Sequence, residues 1–530
     1  MSLNPSRLSR DFRIVVLAAT IYAIVMGTLG ILQYQALRVP HGDSGMYEEH
    51  LWNFLHGKGF RSQIDDGRLF LGEHPQIIHL ALIPIYVLWP TLETLQVVET
   101  VCLAGGAIAI FLLARTMKIP EAGLGVGIAY LLYFPLQHLN LEASWKTFRP
   151  EAFGVPLLFG MIWAMENRRW RIASLFLIAT LCSKEDYGIT TACLGAWLAA
   201  MSLWRRPIDR EGLLWGSVWS IVSVGLVFAA VQWIIPYFRG DIPHFARYFD
   251  GLGTGPIEMA SKLMTEPMLF AERLLTPANG WFIVLMVGPL LFIPLASPTR
   301  LAITLPTFAY LMLSSRPGLA TPWFHFQAPL IPILFWATLA GIRHLSRWLP
   351  ASGLAWSIAA ACLISGFVYG RSPLATRFYD PAYGSPRKVW AGQTLFEPLG
   401  SYFRDVYLPD DRSRHFAEVM KVVKPTDRVA ATDYARTRFT HFAAAYTYPE
   451  YRGNVTAALW DVIVIDRTEG WWGREPNNPD RELLVALARR DGGGPETLTI
   501  RGQTFRVVLN DPYWWVARQV RPDAKEASSP

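Results

Sequence analysis

The chain has 530 residues, of which 52% are hydrophobic and only 17% are charged. About 25% of the residues of an ordinary soluble protein are charged, so this composition, with a mean hydropathy of +0.23, excludes that class. The net charge of +7 does not indicate a nucleic-acid partner, because the basic residues form short clusters at the ends of apolar segments.

The first apolar segment, residues 14–34, is long enough to cross a bilayer and lacks the cleavage site of a signal peptide. We therefore expect a retained membrane helix. Arg7, Arg10 and Arg13 precede it, and positive residues favour the cytoplasmic side, so the N-terminus is expected in the cytoplasm.

A polar loop over residues 38–76 follows this helix and contains six acidic residues and four histidines. A few residues suffice to connect two helices. A loop of this length and chemistry therefore predicts a function at the membrane surface.

Basic clusters at the ends of the later apolar segments can all face the cytoplasm if eleven segments cross the membrane. The predicted spans are 14–34, 95–114, 121–137, 151–166, 172–183, 188–204, 213–235, 279–296, 301–314, 326–342 and 352–369. The odd number of crossings places the C-terminal region outside. Residues 77–90 are short and contain two prolines, so we interpret them as a re-entrant or interfacial helix.

The composition becomes that of a soluble protein near residue 370. Short apolar runs such as DVIVIDR predict strands, and residues 411–423 predict an amphipathic helix. We expect a transmembrane helical domain over residues 1–369, a small extracytoplasmic α/β domain over 370–520 and a disordered tail over 521–530. Arg436, Arg438 and His441 form a cationic group that we interpret as a solvated face.

With this topology, nearly all polar groups of the loops meet on the outer side. Asp43 stands between Gly42 and Gly45, where the backbone can approach a ligand closely. Its carboxylate is a candidate catalytic base, or a ligand of a divalent cation such as Mg²⁺ or Mn²⁺. The alternative role is that of a cap before a helix over residues 46–56.

Lys184, Glu185 and Asp186 lie in a tight outer turn between two apolar segments. Charges at the mouth of a helical bundle are costly unless they are paired or hydrated. Lys184 is a candidate phosphate ligand, and Glu185 and Asp186 are candidate ligands of sugar hydroxyls or of the metal, Glu185 being preferred for the metal. The alternative is a solvated turn.

Four further residues are candidates for binding the substrate or its phosphate. Glu73 and His74 end the first loop, where a histidine can also be purely structural. Arg149 closes the second outer loop and is suited either to a bidentate phosphate contact or to lipid headgroups. His325 lies between aromatic residues, which also fits an interfacial aromatic belt without any function.

Known nucleotide and protease motifs do not occur in the chain. It has no Walker A loop, dinucleotide fingerprint, HExxH or nucleophile elbow, so we expect no nucleotide cofactor. The four cysteines lie in apolar segments without metal-ligand spacing, so neither a thiolate–metal site nor a structural disulfide is expected.

Several short motifs occur in a characteristic order. They are DSGMYEEHLWN (43–53), GEHPQII (72–78), PIYVLWP (84–90), FRPEAF (148–153), KEDYG (184–188), RYFDGLG (247–253) and WFHFQAP (323–329). In this order they resemble the bacterial membrane-protein family called domain of unknown function 2079, which is itself similar to the GT-C superfamily of membrane glycosyltransferases. The resemblance implies a first-loop acid near a polyprenyl-phosphate sugar donor, and Asp43 holds that position. Arg149-Pro150 departs from the His-Pro that is frequent in the family.

The leading hypothesis is an inverting transferase that moves a sugar from a polyprenyl-phosphate donor to an acceptor outside the cytoplasmic (inner) membrane. Its partners would be membrane lipids and this donor but no nucleic acid, and residues 370–520 would serve a protein partner. One alternative is a non-catalytic scaffold with the same fold. The other is a lipid or solute transporter, which would place ionisable residues at mid-bilayer on broken helices.

Overall fold

The computed structural model describes residues 5–39, 42–141, 148–316, 318–379, 403–448, 460–469 and 496–520. The described chain has a helical part, which ends at residue 379, and a C-terminal part built on a six-stranded sheet. This confirms a mostly helical protein with a small C-terminal sheet. The predicted tail over 521–530 lies outside the described residues.

The helical part contains helices of very different lengths. Within the described residues they are α1 (Pro5–Gln35), α2 (Gly42–Leu55), α3 (Ile83–Leu88), α4 (Leu92–Thr116), α5 (Pro120–Leu132), α6 (Phe134–Asn140), α7 (Pro150–Glu166), α8 (Trp170–Leu181), α9 (Tyr187–Trp204), α10 (Arg210–Ala229), α11 (Ile235–Arg239), α12 (Pro256–Thr265), α13 (Pro267–Leu274), α14 (Pro277–Val287), α15 (Pro298–Leu301), α16 (Leu305–Met312), α17 (Leu330–Leu345) and α18 (Ala351–Tyr369).

Four helices of the described chain are long and apolar enough to cross a membrane by themselves. They are Arg10–Gln35, Leu92–Thr116, Arg210–Arg239 and Ala351–Tyr369. The pair α5 and α6 meets the same test as one span that is bent by 51°. Shorter apolar helices include Ile78–Leu88, Trp170–Leu181, Pro277–Leu290 and Leu330–Leu345. The count of eleven spans therefore stays a prediction.

Three of the predicted spans are interrupted where prolines fall. The segment predicted over 121–137 bends at Tyr133, because Pro135, in the first turn of α6, cannot donate a helical hydrogen bond. The segment predicted over 279–296 turns at Leu291 and Phe292, which both have left-handed backbone angles. The segment predicted over 301–314 is divided into short helical pieces, the last of which starts at Leu305 before Pro306.

Helices α9 and α10 pack with their backbones in close contact. A Cβ atom on Gly195 would lie 2.6 Å from the Gly216 carbonyl oxygen, and one on Gly216 would lie 2.6 Å from the Ala199 nitrogen. Small residues that allow such approach are typical of helix pairs in membranes.

Hydrogen bonds join the basic ends of several helices. Arg168 donates to Asp209 at 2.6 Å, and Asn167 donates to the Thr116 hydroxyl at 3.0 Å. Arg300 donates to Glu166 at 3.5 Å. The segments before α8 and α10 and Arg300 within α15 therefore lie at one end of the bundle, the arrangement that the positive-inside pattern predicts.

The C-terminal part contains helices α19 (Phe403–Tyr407), α20 (Asp411–Val422) and α21 (Asp433–Arg436) and strands β1 (Arg428–Ala431), β2 (Ala444–Thr447), β3 (Val462–Asp466), β4 (Thr497–Ile500), β5 (Gln503–Asn510) and β6 (Trp514–Gln519). The strand order is β2-β1-β3-β6-β5-β4, with β1 parallel to β2 and β3 and the other pairs antiparallel. Alternate residues of β3 enter separate cores on the two faces, and α20 covers one of them. Helix α20 confirms the helix predicted over 411–423.

The C-terminal part is docked on the first loop through buried charges. Arg436 donates to Glu49 at 2.8 Å, and Arg412 donates to the Ala36 carbonyl oxygen at 3.0 Å. His441 Nε2 lies 3.1 Å from Glu48 Oε1, and Arg438 donates to the Tyr34 carbonyl oxygen. The interpretation of Arg436, Arg438 and His441 as a solvated face is wrong, because these side chains face carboxylates and carbonyl groups of the helical part. The first loop and the C-terminal part are therefore in contact with each other, and the side of the membrane on which they lie stays a prediction.

Candidate functional site

The first loop folds back over the outer turn that follows α8. Ser62 donates to Glu49 Oε2 at 2.6 Å and accepts from the Ile64 backbone at 3.1 Å, which closes the loop after α2. The chain then runs to Ile78, whose backbone N–H donates to the Cys182 carbonyl oxygen at 2.9 Å. This bond places the end of the first loop beside residues 183–186.

Lys184 lies at the centre of a buried group of charges. Its Nζ is 3.3 Å from Asp186 Oδ2 and 3.8 Å from Glu151 Oε1, and its side chain is only 6% exposed. The ammonium group also lies 5.0 Å from the centre of the Phe326 ring. The predicted alternative of a solvated turn is therefore wrong, because residues 184–186 are buried.

Glu151, in the first turn of α7, connects three segments. Its Oε2 accepts from Gln76 at 3.0 Å, and its Oε1 lies 3.2 Å from His325 Nε2. The Tyr47 hydroxyl donates in turn to the Gln76 side-chain oxygen. Glu151 thus joins the first loop, the turn at Lys184 and the segment before α17.

Glu73 and His74 bring the end of the first loop into the same group. His74 Nδ1 lies 2.6 Å from Glu185 Oε1. Glu73 Oε2 accepts from Arg239 at 2.8 Å, and Glu73 Oε1 lies 3.4 Å from His244 Nδ1. The residues before and within the turn His244–Phe249 therefore complete one side of the site.

The charges of the turn shift each other's ionisation. Burial disfavours the ammonium form of Lys184, but Asp186, Glu151 and Glu185 more than offset this, so its pKa lies above the ordinary value. Burial, helped by Glu185 and Glu151 and opposed by Lys184, raises the pKa of Asp186 to about 6. In the described residues, the buried atoms Glu185 Oε2 and Asp186 Oδ1 accept no hydrogen bond. These two buried oxygens therefore have no hydrogen-bond donor within the described chain.

The structure brings together most of the residues selected from the sequence. They are Glu73, His74, Lys184, Glu185, Asp186 and His325, with Arg149 buried nearby and in electrostatic contact with Glu151. Their roles in binding stay predictions.

Asp43 is the remaining candidate, and its side chain lies outside the described residues. Its backbone lies in the first turn of α2, which begins at Gly42. The helix predicted over 46–56 therefore starts earlier, and Asp43 does not precede it as a cap. The next residue, Ser44, accepts a hydrogen bond from the Phe148 backbone at 3.1 Å, beside Arg149.

Sequence reasoning missed the uncharged and distant partners of this group. Tyr47 and Gln76 stand inside the motifs DSGMY and GEHPQ, so the motifs contained a signal for them. Glu151 stands inside the motif FRPEAF and contacts three candidates, Lys184, His325 and Arg149. Arg239 stands in no motif, and only the fold places it against Glu73.

The buried carboxyl group of Asp65 should make the stability of the protein depend on pH. Its carboxyl group is buried, its Oδ2 accepts no hydrogen bond within the described chain, and Arg239 lies 3.9 Å from its Oδ1. Burial, with a contribution from Glu73, raises the pKa of Asp65 from 3.8 to about 7. Because the folded protein keeps this proton where the unfolded chain has lost it, the free energy of unfolding will fall as the pH rises through this range.

Asp65→Asn will remove this contribution. The difference in the free energy of unfolding between the variant and the natural chain will therefore be larger at neutral pH than at pH 4, by roughly 1 kcal/mol or more in favour of the variant. Chemical unfolding at a series of pH values measures the difference. The neighbouring Asp66→Asn is the control and should follow the natural chain. Parallel pH profiles for the Asp65 variant and the natural chain would contradict the prediction.

The amino-acid sequence matches a known protein family. The profile of the family described as "Predicted membrane protein (DUF2079)" matches residues 34–490. The chain belongs to this family. The DUF2079 match includes the first loop, the turn at Lys184, the His244 segment and strands β1 to β3 of the C-terminal sheet.

Two solved structures are similar to the DUF2079 chain at low identity. ArnT from Cupriavidus metallidurans in the apo state is 13% identical, with a TM-score of 0.47 over 94% of this chain and 98% of that one. The archaeal oligosaccharyltransferase AglB from Archaeoglobus fulgidus, in complex with an inhibitory peptide and a dolichol-phosphate, is 12% identical, with a TM-score of 0.42 over 86% of this chain and 69% of that one. No curated protein matches the chain.

Proposed function

We propose that this protein is a membrane transferase that moves a sugar from a polyprenyl-phosphate carrier to an acceptor hydroxyl on the outer face of the cytoplasmic membrane. The supporting observation is the buried ammonium group of Lys184, beside Glu185 and Asp186 oxygens that accept no hydrogen bond from the described residues. A cation next to free acceptors suits a ligand that carries both a phosphate and sugar hydroxyls.

The residues would divide the work by their chemistry. Lys184, with Arg149 buried nearby, would stabilise the negative charge of the phosphate as it leaves. Glu185 and Asp186 would accept hydrogen bonds from sugar hydroxyls, and buried carboxylate oxygens without partners gain most from such donors. Glu73, His74 and His325 would hold these groups in place through their contacts with Glu185, Arg239 and Glu151.

In the reaction, the acceptor oxygen would attack the anomeric carbon while the bond from that carbon to the phosphate oxygen breaks. The phosphate would leave with the electron pair, and the carboxylate of Asp43 would take the proton of the hydroxyl. Attack opposite the leaving group inverts the configuration. Glu185 Oε2, which accepts no hydrogen bond in the described part of the chain, also suits an oxygen-preferring cation such as Mg²⁺ or Mn²⁺, which Glu185 and Asp43 would hold to offset the phosphate charge.

Asp43→Asn tests this assignment. The change keeps the size of the side chain and removes the base, so transfer should fall by about a hundredfold or more. The assay uses purified protein in lipid nanodiscs with a polyprenyl-phosphate hexose, and mass spectrometry quantifies the polyprenyl phosphate that is released.

Asp241→Asn is the matched control, because Asp241 is an exposed acid on the same side of the bundle. It should leave the transfer rate unchanged. Full activity in the Asp43 variant would remove that residue from the chemistry, and no release from any of the common polyprenyl-phosphate hexoses would count against the transferase itself.

The alternative of a non-catalytic subunit has one observation in its favour. The charges at the site pair with one another: Lys184 with Asp186 and Glu151, His74 with Glu185, and Arg239 with Glu73. The same pairs would fasten the first loop to the bundle in a scaffold. A scaffold would retain its fold and would bind no polyprenyl phosphate in native mass spectrometry. The Asp186→Asn variant would then also bind none, as the natural chain does.

A further inference from the structure

Three possible metal ligands meet at the edge of the site, where the first loop contacts the segment after α11. Glu73, His74 and His244 each offer one ligand atom, and the three atoms lie within 4.8 Å of one another. Glu73 is buried, and the two histidines are only partly exposed. The ligands come from two segments that are distant in sequence, so the fold itself assembles them.

The spacing of two of these atoms suits a bound transition metal. Glu73 Oε1 and His244 Nδ1 are 3.4 Å apart. Two ligands at about 2.0–2.1 Å from a tetrahedral zinc ion lie roughly 3.3 Å from each other. The pair therefore needs little movement to hold such an ion.

Neighbouring residues orient the ligands in the way that metal sites require. Glu185 Oε1 lies 2.6 Å from His74 Nδ1, which leaves Nε2 as the ring nitrogen for a metal. A carboxylate on the far nitrogen of a ligand histidine is a common feature of zinc sites. Arg239 binds Oε2 of Glu73 and leaves Oε1 facing His244.

We propose that Glu73, His74 and His244 form a binding site for a transition metal ion of the Zn²⁺ class, with Glu185 and Arg239 as supporting residues. Two imidazoles and one carboxylate favour Zn²⁺ and its neighbours over Mg²⁺, which prefers oxygen ligands. Three protein ligands leave a fourth position for water or for an oxygen of a bound molecule. The inference does not depend on the proposed transferase, because it concerns metal binding alone.

The experiment uses the full chain in detergent, purified through a tag without histidines and treated with a chelator. Titration calorimetry with Zn²⁺ should show one tight site. Co²⁺ should give the visible absorption of a four-coordinate ion with nitrogen and oxygen ligands. Mg²⁺ should not compete for this site at concentrations that saturate Zn²⁺.

Single substitutions identify the ligands. His74→Ala and His244→Ala should each weaken Zn²⁺ binding by about a hundredfold or more, and Glu185→Gln by about 10–100-fold, since removing supporting groups costs less than removing ligands. His415→Ala is the control, because His415 is exposed on the outer face of α20, where its ring hydrogen-bonds the Asp411 backbone and contacts Tyr513. It should bind Zn²⁺ like the natural chain.

Thermal unfolding distinguishes a metal-binding site from a group of ion pairs that binds no metal. Addition of Zn²⁺ should raise the unfolding temperature of the natural chain and of the His415 variant, but not of the His244 variant. His244→Asn serves as a second variant if the alanine variant does not fold. Absence of Zn²⁺ binding by the natural chain, or unchanged binding in both histidine variants, would overturn the site.

Discussion

Lys184→Met will destabilise the folded protein by about 3–5 kcal/mol, because the change leaves buried carboxylates without their cation. The Lys184 ammonium lies between Asp186 and Glu151 at 3.3 and 3.8 Å, and these side chains are at most 10% exposed. Methionine fills a similar volume, so the loss measures charge and not packing.

Lys262→Met is the matched control, because Lys262 pairs with Glu266 at 3.8 Å on an exposed helix. An exposed pair of this kind contributes about 0–1 kcal/mol. Unfolding of both variants in mixed micelles, with the natural chain as the reference, gives the two differences. Equal losses in the two variants would mean that the charges at Asp186 and Glu151 are hydrated and do not need Lys184.

Arg436→Met will have an effect of similar size at a different place. The Arg436 side chain is fully buried and donates to Glu49 Oε2 and to the Ala445 carbonyl oxygen, both at 2.8 Å. Loss of the guanidinium leaves the buried Glu49 carboxylate with hydrogen bonds from the Ser62 hydroxyl and the Gln63 backbone, which do not replace a charge. The expected cost is about 3–5 kcal/mol, together with faster hydrogen exchange in α2.

Two further variants show whether the effect belongs to the ion pair. Arg414→Met removes an exposed arginine that pairs with Asp411, and it should change stability by no more than about 1 kcal/mol. Glu49→Gln in addition to Arg436→Met should recover part of the loss, because it removes the uncompensated charge. If hydrogen exchange in α2 is as slow in the Arg436 variant as in the natural chain, other contacts hold the C-terminal part in its docked position.

The parts of the fold that depend on local patterns could be predicted from the sequence. The long apolar helix α1, the amphipathic α20 and the strand β3 follow from hydropathy and periodicity. The placement of Glu73, His74 and the Lys184 turn on one side followed from the predicted topology, and isolated charges at the rim of an apolar bundle are costly. This prediction requires only the order of the membrane spans and the side of the membrane on which each loop lies.

The pairing of distant residues could not be predicted in the same way. Nothing in the sequence shows that Arg436 pairs with Glu49 across 387 positions, and its surroundings favoured a solvated face. Arg239 and Gln76 are ordinary polar residues until the fold places them against Glu73 and Glu151. The turn at Leu291 could not be predicted either, because the hydropathy of an apolar segment does not indicate where its backbone changes direction.

The contacts between the first loop and the C-terminal part also determine the order in which the protein can be completed. Arg38, Glu49 and Glu48 find their partners Asp410, Arg436 and His441 only 372 to 393 residues later in the chain. At a synthesis rate of roughly 5–20 residues per second, the first loop waits some tens of seconds for them. During that interval its carboxylates must remain hydrated, since burying them without a partner is costly. The loop that carries Asp43 and Glu73 therefore takes its final form as one of the last steps of biogenesis, after the C-terminal part has been synthesised and has docked on it.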